Sequence, residues 1–158
     1  MLTEVKNINN NWANVDQIIN RWLQERQELI VLYCKVDGLK PFTTQETPLS
    51  IRVQALCNTL IDYVSAGHFE IYQHLMKEAA SYSSDCKNAI TRILPLIQHS
   101  TEIALDFNDH YAELTLNDSH RQQLEVDLTE LGLKLVERFD LEDQLIEQLH
   151  TRHRDLVA

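Results

Sequence analysis

Residues 48–72 read PLSIRVQALCNTLIDYVSAGHFEIY. Leu49, Val53, Leu56, Leu60 and Val64 recur at steps of three and four. That spacing places side chains on one face of a helix with 3.6 residues per turn. Cys57 and Ile61 broaden the stripe. Thr47-Pro48 opens it as an N-cap followed by proline in the first turn, where a missing N–H costs nothing. The pattern predicts a helix from Pro48 to about Ser65. Gly67 breaks or bends the path, because glycine reaches positive φ without steric cost and weakens a helix interior. A short helix over about His68 to Ala80 is expected beyond it, with Phe69, Tyr72 and Met76 facing inward. Asp62, Ser65, His68 and Glu70 therefore stand among apolar and aromatic neighbours where two helices meet, a common place for a recognition surface in helical proteins.

The same period runs through the rest of the chain. A first helix is predicted from about Asn11 to Val36, with Trp12, Val15, Ile19, Trp22, Leu29 and Tyr33 on one face. Asp37-Gly38 ends it, and Pro41 prevents its resumption. Beyond the polar turn at Ser81–Asp85, a helix over about Asp85 to Leu114 carries Ile90, Leu94, Ile97, Ala104, Phe107, Tyr111 and Leu114. Pro95 lies inside that pattern and should kink the helix or mark its true start. Asn117-Asp118-Ser119 separates it from a last helix, about Ser119 to Arg152, along Leu124, Leu128, Leu131, Leu135, Phe139, Ile146 and Leu149. Short or moderate connections between long amphipathic helices predict an all-α fold. The expected architecture is an antiparallel bundle of four long helices plus one short helix, in a single domain over residues 1–158.

Two charged residues interrupt the stripes. Arg26 falls between Trp22 and Leu29, and Glu142 between Phe139 and Ile146. A buried charge is costly unless paired. Either Arg26 meets Glu142 or Asp143 inside the bundle, or these side chains reach out to solvent along their stems.

Composition narrows the function classes. The chain has 158 residues, 44% hydrophobic and 24% charged, with three glycines and three prolines. That is too few turn formers for an all-β domain and too ordinary a balance for a disordered chain. No apolar run approaches a membrane span, and the N-terminus lacks the basic start and apolar core of a signal peptide. Cys34, Cys57 and Cys86 are odd in number and widely spaced, as expected of reduced thiols in a cytoplasmic protein. The net charge is −10, with −2 on residues 1–79 (7 basic, 9 acidic) and −8 on residues 80–158 (7 basic, 15 acidic). Such a chain does not bind nucleic acid by neutralising phosphates. It either attracts a basic protein or uses its charge only to stay in solution.

Motifs for catalysis are weak. A di-iron bundle needs two Glu-x-x-His pairs, and only Glu147-Gln148-Leu149-His150 fits. A histidine phosphotransfer domain needs an exposed His with a nearby Lys. His74 and Lys77 have that spacing, but Glu78 would repel the phosphoryl group. Glycine-rich phosphate loops and the GxSxG motif are absent. The residues call for no cofactor and no metal, and the chain is not expected to be an enzyme. Histidine phosphotransfer, or another carrier role for the bundle, is the alternative reading.

Three blocks in order resemble the Rsd/AlgQ family. They are Arg21-Trp22-Leu23 through Arg26, with Leu29–Tyr33 and the Gly38-Leu39-Lys40-Pro41 turn; Leu60–Phe69 with Ile71-Tyr72; and Arg138-Phe139 with Leu141-Glu142-Asp143 and Leu145-Ile146. The middle block is the most specific. The stretches Phe42–Thr47 and Ala79–Arg92 match poorly. The resemblance implies an anti-sigma factor. Such a protein binds the C-terminal DNA-binding domain of the primary sigma factor and withholds it from core RNA polymerase and from the −35 element. An acidic helical surface suits the basic helix-turn-helix of that domain. Carried over from the middle block, Asp62, Ser65 and Phe69 are the expected sigma contacts: Phe69 as aromatic anchor or else core, Asp62 pairing with a basic residue, Ser65 at close polar contact. Arg21, Trp22, Arg26, His68, Tyr72, Glu142 and Asp143 are expected to hold the bundle's shape behind them. Further cytoplasmic regulatory proteins are conceivable partners; nucleic acid and membrane are not.

Overall fold

The structure, a computed structural model, describes the backbone of residues 2–37, 48–66, 72–73, 77, 84–114 and 116–157. It describes side chains over 17–37, 48–65, 72, 73, 77, 88–114, 116, 117 and 119–148. Four α-helices account for most of this: α1 (Leu2–Val36), α2 (Leu49–Ala66), α3 (Ser84–Tyr111) and α4 (Arg121–Val157), with a 3-10 turn at Asp118–His120 leading into α4. No strand occurs among the described residues. The all-α class is as expected. The short helix expected over His68–Ala80 lies outside the described residues, apart from Tyr72, Gln73 and Lys77.

Boundaries agree where packing dictates them. α2 and α3 each start within a residue of expectation. α1 begins at Leu2 rather than Asn11: Leu2, Val5 and Ile8 continue the stripe of Trp12, Val15 and Ile19 at three- and four-residue steps, thinly set among polar residues. α4 continues past Arg152 to Val157, with Leu156 seven residues beyond Leu149. Pro95 stays inside α3 with its ring exposed and does not mark the start of the helix. Before α4, where Asn117-Asp118-Ser119 was expected to separate the helices, the Asn117 side-chain oxygen accepts from the Ser119 amide at 2.9 Å and closes an Asx turn.

Side-chain bonds give the helix directions. Arg26 reaches Tyr63, and Arg52 Nη1 donates to the Lys35 carbonyl at 2.6 Å, so α1 and α2 run antiparallel. Tyr33 donates to the Leu128 carbonyl at 2.8 Å and Arg26 to Asp143 at 2.7 Å, so α1 and α4 are antiparallel. Arg138 bonds to Thr101, and Tyr111 to Asp127, which makes α3 and α4 antiparallel as well. The Arg52 bond also satisfies a carbonyl that the end of α1 would otherwise leave open.

The core is continuous. Ile19, Trp22, Leu29 and Val36 of α1 meet Val53, Leu56, Cys57, Leu60 and Val64 of α2, and Ile90, Ile93, Ile97, Ala104, Phe107 and Tyr111 of α3. Burial pushes the Cys57 thiol up to about 11, so it sits in the core as an un-ionised small hydrophobe. In α4 the seam differs from expectation. Leu124, Leu128, Leu131, Leu135, Arg138, Glu142 and Leu145 are buried, at strict four–three steps, whereas Phe139 and Ile146 lie only partly buried beside them. The core stripe of α4 therefore passes through two ionic residues, and its apolar neighbours flank it.

One glycine sets the distance between α1 and α4. A β-carbon at Gly132 would collide with the Tyr33 hydroxyl and come within 2.7 Å of its Cζ. Its absence lets the Tyr33 ring cross α4 and reach the Leu128 carbonyl.

Candidate functional site

The α2 surface that faces away from the core carries Ile51, Asn58, Asp62 and Ser65, all exposed and separated by seven, four and three residues. They form one outward stripe, apolar at the start and polar at the end. Asp62 and Ser65 thus share an accessible face. Phe69 and His68 lie outside the described residues. Arg21 is exposed on α1 and stands apart from the other expected structural residues.

Behind the stripe, at the same end of the bundle, lies a buried ionic cluster. Trp22, Tyr63, Tyr72, Arg138 and Glu142 are each less than 5% exposed. The Tyr63 hydroxyl donates to the Glu142 carboxylate, 2.8 Å from Oε1 and 2.9 Å from Oε2. The Tyr72 hydroxyl lies 3.5 Å from Oε2. Arg138, one turn before Glu142, places Nε 3.3 Å from Oε1. Its Nη2 donates to Tyr72 at 3.3 Å, and its Nη1 to Thr101 at 2.6 Å and to Ser100 at 3.2 Å. Residues from α1, α2, α3 and α4 therefore converge on one i,i+4 ion pair.

Arg26 completes the cluster. Its Nη1 donates to Asp143 at 2.7 Å, its Nε to Tyr63 at 3.3 Å, and its Nη2 stands 4.0 Å from Glu142. The guanidinium also lies over the Phe139 ring, 4.9 Å from the centroid, and near Trp22 at 5.8 Å. Of the two acids open to Arg26, Asp143 takes the direct bond and Glu142 the longer electrostatic contact. Arg26 itself is largely covered, at 12% side-chain exposure, while Asp143 is 60% exposed.

The electrostatics follow from this placement. Burial pushes Glu142 up from its ordinary 4.5 to about 7, against the opposing pull of Arg138, Arg26 and Tyr63. Burial and the neighbouring carboxylate raise Tyr63 and Tyr72, so both remain neutral donors. Burial alone would favour a neutral Arg26, but Tyr63, Asp143 and Glu142 outweigh it and hold the guanidinium charged.

Trp22, Arg26, Tyr72, Glu142 and Asp143, expected as structural residues, do come together here. Tyr63, Arg138, Ser100 and Thr101 were not singled out from their spacing. The available signal for Arg138 was its position four residues before Glu142 in the leucine register. For Tyr63 it was the three-residue step from Leu60.

The Glu142 carboxylate is enclosed by its own partners, while Trp22 Nε1, Arg26 Nη2 and Arg138 Nε around it make no hydrogen bond to a described residue. Lys77 is exposed, while His74 and Glu78 of the phosphotransfer alternative lie outside the described residues. No helix among the described residues is long and apolar enough to cross a membrane.

A protein helical through its described residues, with a solvent-facing stripe on one helix and a buried polar cluster behind it, has the form of a binding protein. The family model for the regulator of the RNA polymerase sigma(70) subunit, Rsd/AlgQ, matches residues 1–150, and the chain belongs to that family. It is 33% identical over 148 residues to a regulator of sigma D from Yersinia enterocolitica, covering 93% of this chain and 89% of that protein. A regulator of sigma D from Yersinia pseudotuberculosis is 34% identical, with 93% and 88% covered. One from Salmonella paratyphi A is 31% identical over 149 residues, with 92% and 90% covered. No solved structure matches the chain.

Proposed function

We propose that this chain is an anti-sigma factor. It acts as a single domain in the cytoplasm, without a cofactor, by binding the C-terminal DNA-binding domain (region 4) of the primary sigma factor one to one. Bound there, it denies that domain to core RNA polymerase and to the −35 element, which lowers transcription by the primary sigma factor. Membership of a family of sigma(70) regulators across residues 1–150 carries this reading.

Charge and surface chemistry support it. A net charge of −10 speeds encounter with a basic DNA-reading face. Asp62 and Ser65 are exposed on one helix face, as a direct contact requires. Asp62 pairs with a lysine or arginine of the sigma domain, Ser65 allows close polar approach, and Phe69 supplies the apolar anchor.

Titration calorimetry of the full chain against the isolated sigma C-terminal domain, at two salt concentrations, tests the proposal. One-to-one binding that weakens with salt, and by about tenfold or more in Asp62→Ala and Phe69→Ala, is the expected result. Absence of binding at low salt would overturn it. Full affinity in both variants would move the contact surface elsewhere.

A further inference from the structure

Between α1 and α4 runs an apolar groove of about 200 Å³. Leu29 and Leu135 form its floor, Tyr33 and Phe139 lie half-buried beside them, and Ile30 and Val136 stand exposed at its edges. Gly132 lies in the wall and brings no side chain to fill it. A close-packed interior leaves few voids larger than a water molecule, so apolar space of this size at a helix crossing is room for another side chain. Next to the groove, α4 turns Leu133, Val136, Asp140 and Asp143 outward at steps of three, four and three residues. Val136 is 67% exposed and Leu133 64%. Apolar surface gathered round a groove and rimmed by charge marks a protein-binding site, whereas scattered apolar side chains do not.

Charge gives the occupant its character. Asp140 accepts from the Gln144 amide at 3.1 Å and meets no base among the described residues. Asp143 is 60% exposed, and the Arg26 bonded to it is largely covered. The remaining bases of this stretch of α4 are taken, Lys134 by Glu137 and Arg138 by Glu142. This end of the groove is therefore acidic. Beyond its other end Asp37 and Glu125 stand with Arg52 and Arg121, and the charges balance. A cleft between two antiparallel helices suits a third helix, whose side-chain ridge fills it. A second copy of this chain would bring its own net charge of −10 to that place, whereas a basic helix meets opposite charge.

We propose that the α1–α4 groove docks an amphipathic helix of a protein partner other than the sigma domain, with its apolar stripe on Ile30, Val136 and Phe139 and basic residues at one end beside Asp140 and Asp143. The groove follows α4 from Gly132 to Phe139, about 10 Å or two helical turns, so the partner helix presents apolar residues at i, i+3 or i+4, and i+7. No α2 residue lines the groove, so it is separate from the face that carries Asp62 and Ser65. The proposal stands whether or not that face binds sigma.

The test titrates the full chain into a labelled, helix-stapled peptide of about 15 residues, with leucines at i, i+3, i+4 and i+7 and lysines beside the stripe at one end. Fluorescence anisotropy reads the affinity, and thermal unfolding checks that each variant is folded. Saturable binding is expected, about tenfold or more tighter than that of a peptide of the same composition without the stripe. Val136→Asp, which puts a charge against the apolar stripe, should weaken it by about tenfold or more. Asp140→Lys should weaken the lysine peptide about three- to fivefold and strengthen a glutamate-for-lysine version by a similar factor. Asp62→Ala should bind the lysine peptide as wild type does, and the isolated sigma domain should not displace it. Should Val136→Asp fail to fold, the charge exchange at Asp140 decides. Equal affinity for the stripeless peptide, or wild-type affinity in folded Val136→Asp, would overturn the docking site. Displacement by the sigma domain would assign the groove to sigma and overturn the separate partner. A dimer in sedimentation equilibrium that Val136→Asp dissociates would give the groove to a second copy and overturn the proposal as well.

Discussion

Glu142→Leu removes the only acid among the described residues that pairs with the wholly buried Arg138, and leaves that guanidinium with the hydroxyls of Ser100, Thr101 and Tyr72 among its described partners. Stripping one member from a buried ion pair costs about 3–5 kcal/mol, because the remaining charge is desolvated without compensation. Arg138→Met leaves the converse problem and should cost a similar amount. The double variant removes both charges and fills the space with apolar side chains. It takes one partner from the hydroxyls of Tyr63, Tyr72, Ser100 and Thr101, at roughly 1 kcal/mol each where no alternative is found, and Tyr63 keeps the Arg26 Nε donor. Ser100 and Thr101 already have an alternative in the Ile97 carbonyl. The double variant should therefore lose less than either single, which makes the coupling about as large as one single loss. The parallel cycle with Arg26→Met should give a much smaller coupling to Glu142, about 0.5–1 kcal/mol. Arg26 stands 4.0 Å from Glu142 and keeps its 2.7 Å bond to Asp143. Urea unfolding at pH 8, followed by tryptophan fluorescence in a Trp12→Phe background so that Trp22 inside the cluster is the reporter, measures both cycles. Additive losses for Arg138 and Glu142, or a larger coupling for Arg26, would refute the assignment of Arg138 as the principal partner.

The raised Glu142 pKa predicts a pH dependence with a definite sign. A carboxyl at about 7 in the folded state and 4.5 when unfolded binds its proton more tightly when folded, so its contribution to stability is complete below pH 4.5 and is lost as pH rises through 7. The loss is about 3 kcal/mol across that window. Subtracting the pH–stability curve of Glu142→Gln from that of wild type should isolate it, and a flat difference between pH 5 and pH 8 would contradict the burial argument. At the α1–α4 crossing, Gly132→Ala should destabilise by about 1–3 kcal/mol despite the better helix propensity of alanine, because the new methyl meets the Tyr33 hydroxyl. Tyr33→Leu in the same chain should recover part of that loss in urea unfolding, and no recovery would mean that the clash is not the cause.

Much of the fold was legible in the sequence because amphipathic helices declare themselves locally. The α2 stripe from Val53 to Val64 and the α3 stripe through Ile90, Ile97, Ala104 and Phe107 are buried as their spacing requires. Reading failed where the local signal and the tertiary environment disagree. In α4, Phe139 looked like core because it is apolar, yet Arg138 takes the seam position and Phe139 flanks it. Hydrophobicity cannot mark a position whose burial depends on partners supplied by three other helices. The outward direction of Asp62 and Ser65 follows from the α2 period alone, so that part of the candidate surface was readable without the fold.

By itself, the sequence determined the all-α class, the order of the four helices, the faces that α2 and α3 bury, and an acidic character suited to a basic partner. Those properties depend on 3.6-residue periodicity, on turn formers and on charge, all of which act over a few neighbours or over the whole chain. Only the tertiary structure decided that Arg26 bonds to Asp143 while lying within reach of Glu142, that Arg138 is the principal partner of Glu142, and that Tyr63 and Tyr72 meet at one oxygen. A buried charge is tolerated only where donors and acceptors from distant parts of the chain arrive together, and which of them arrive is a property of the packed bundle.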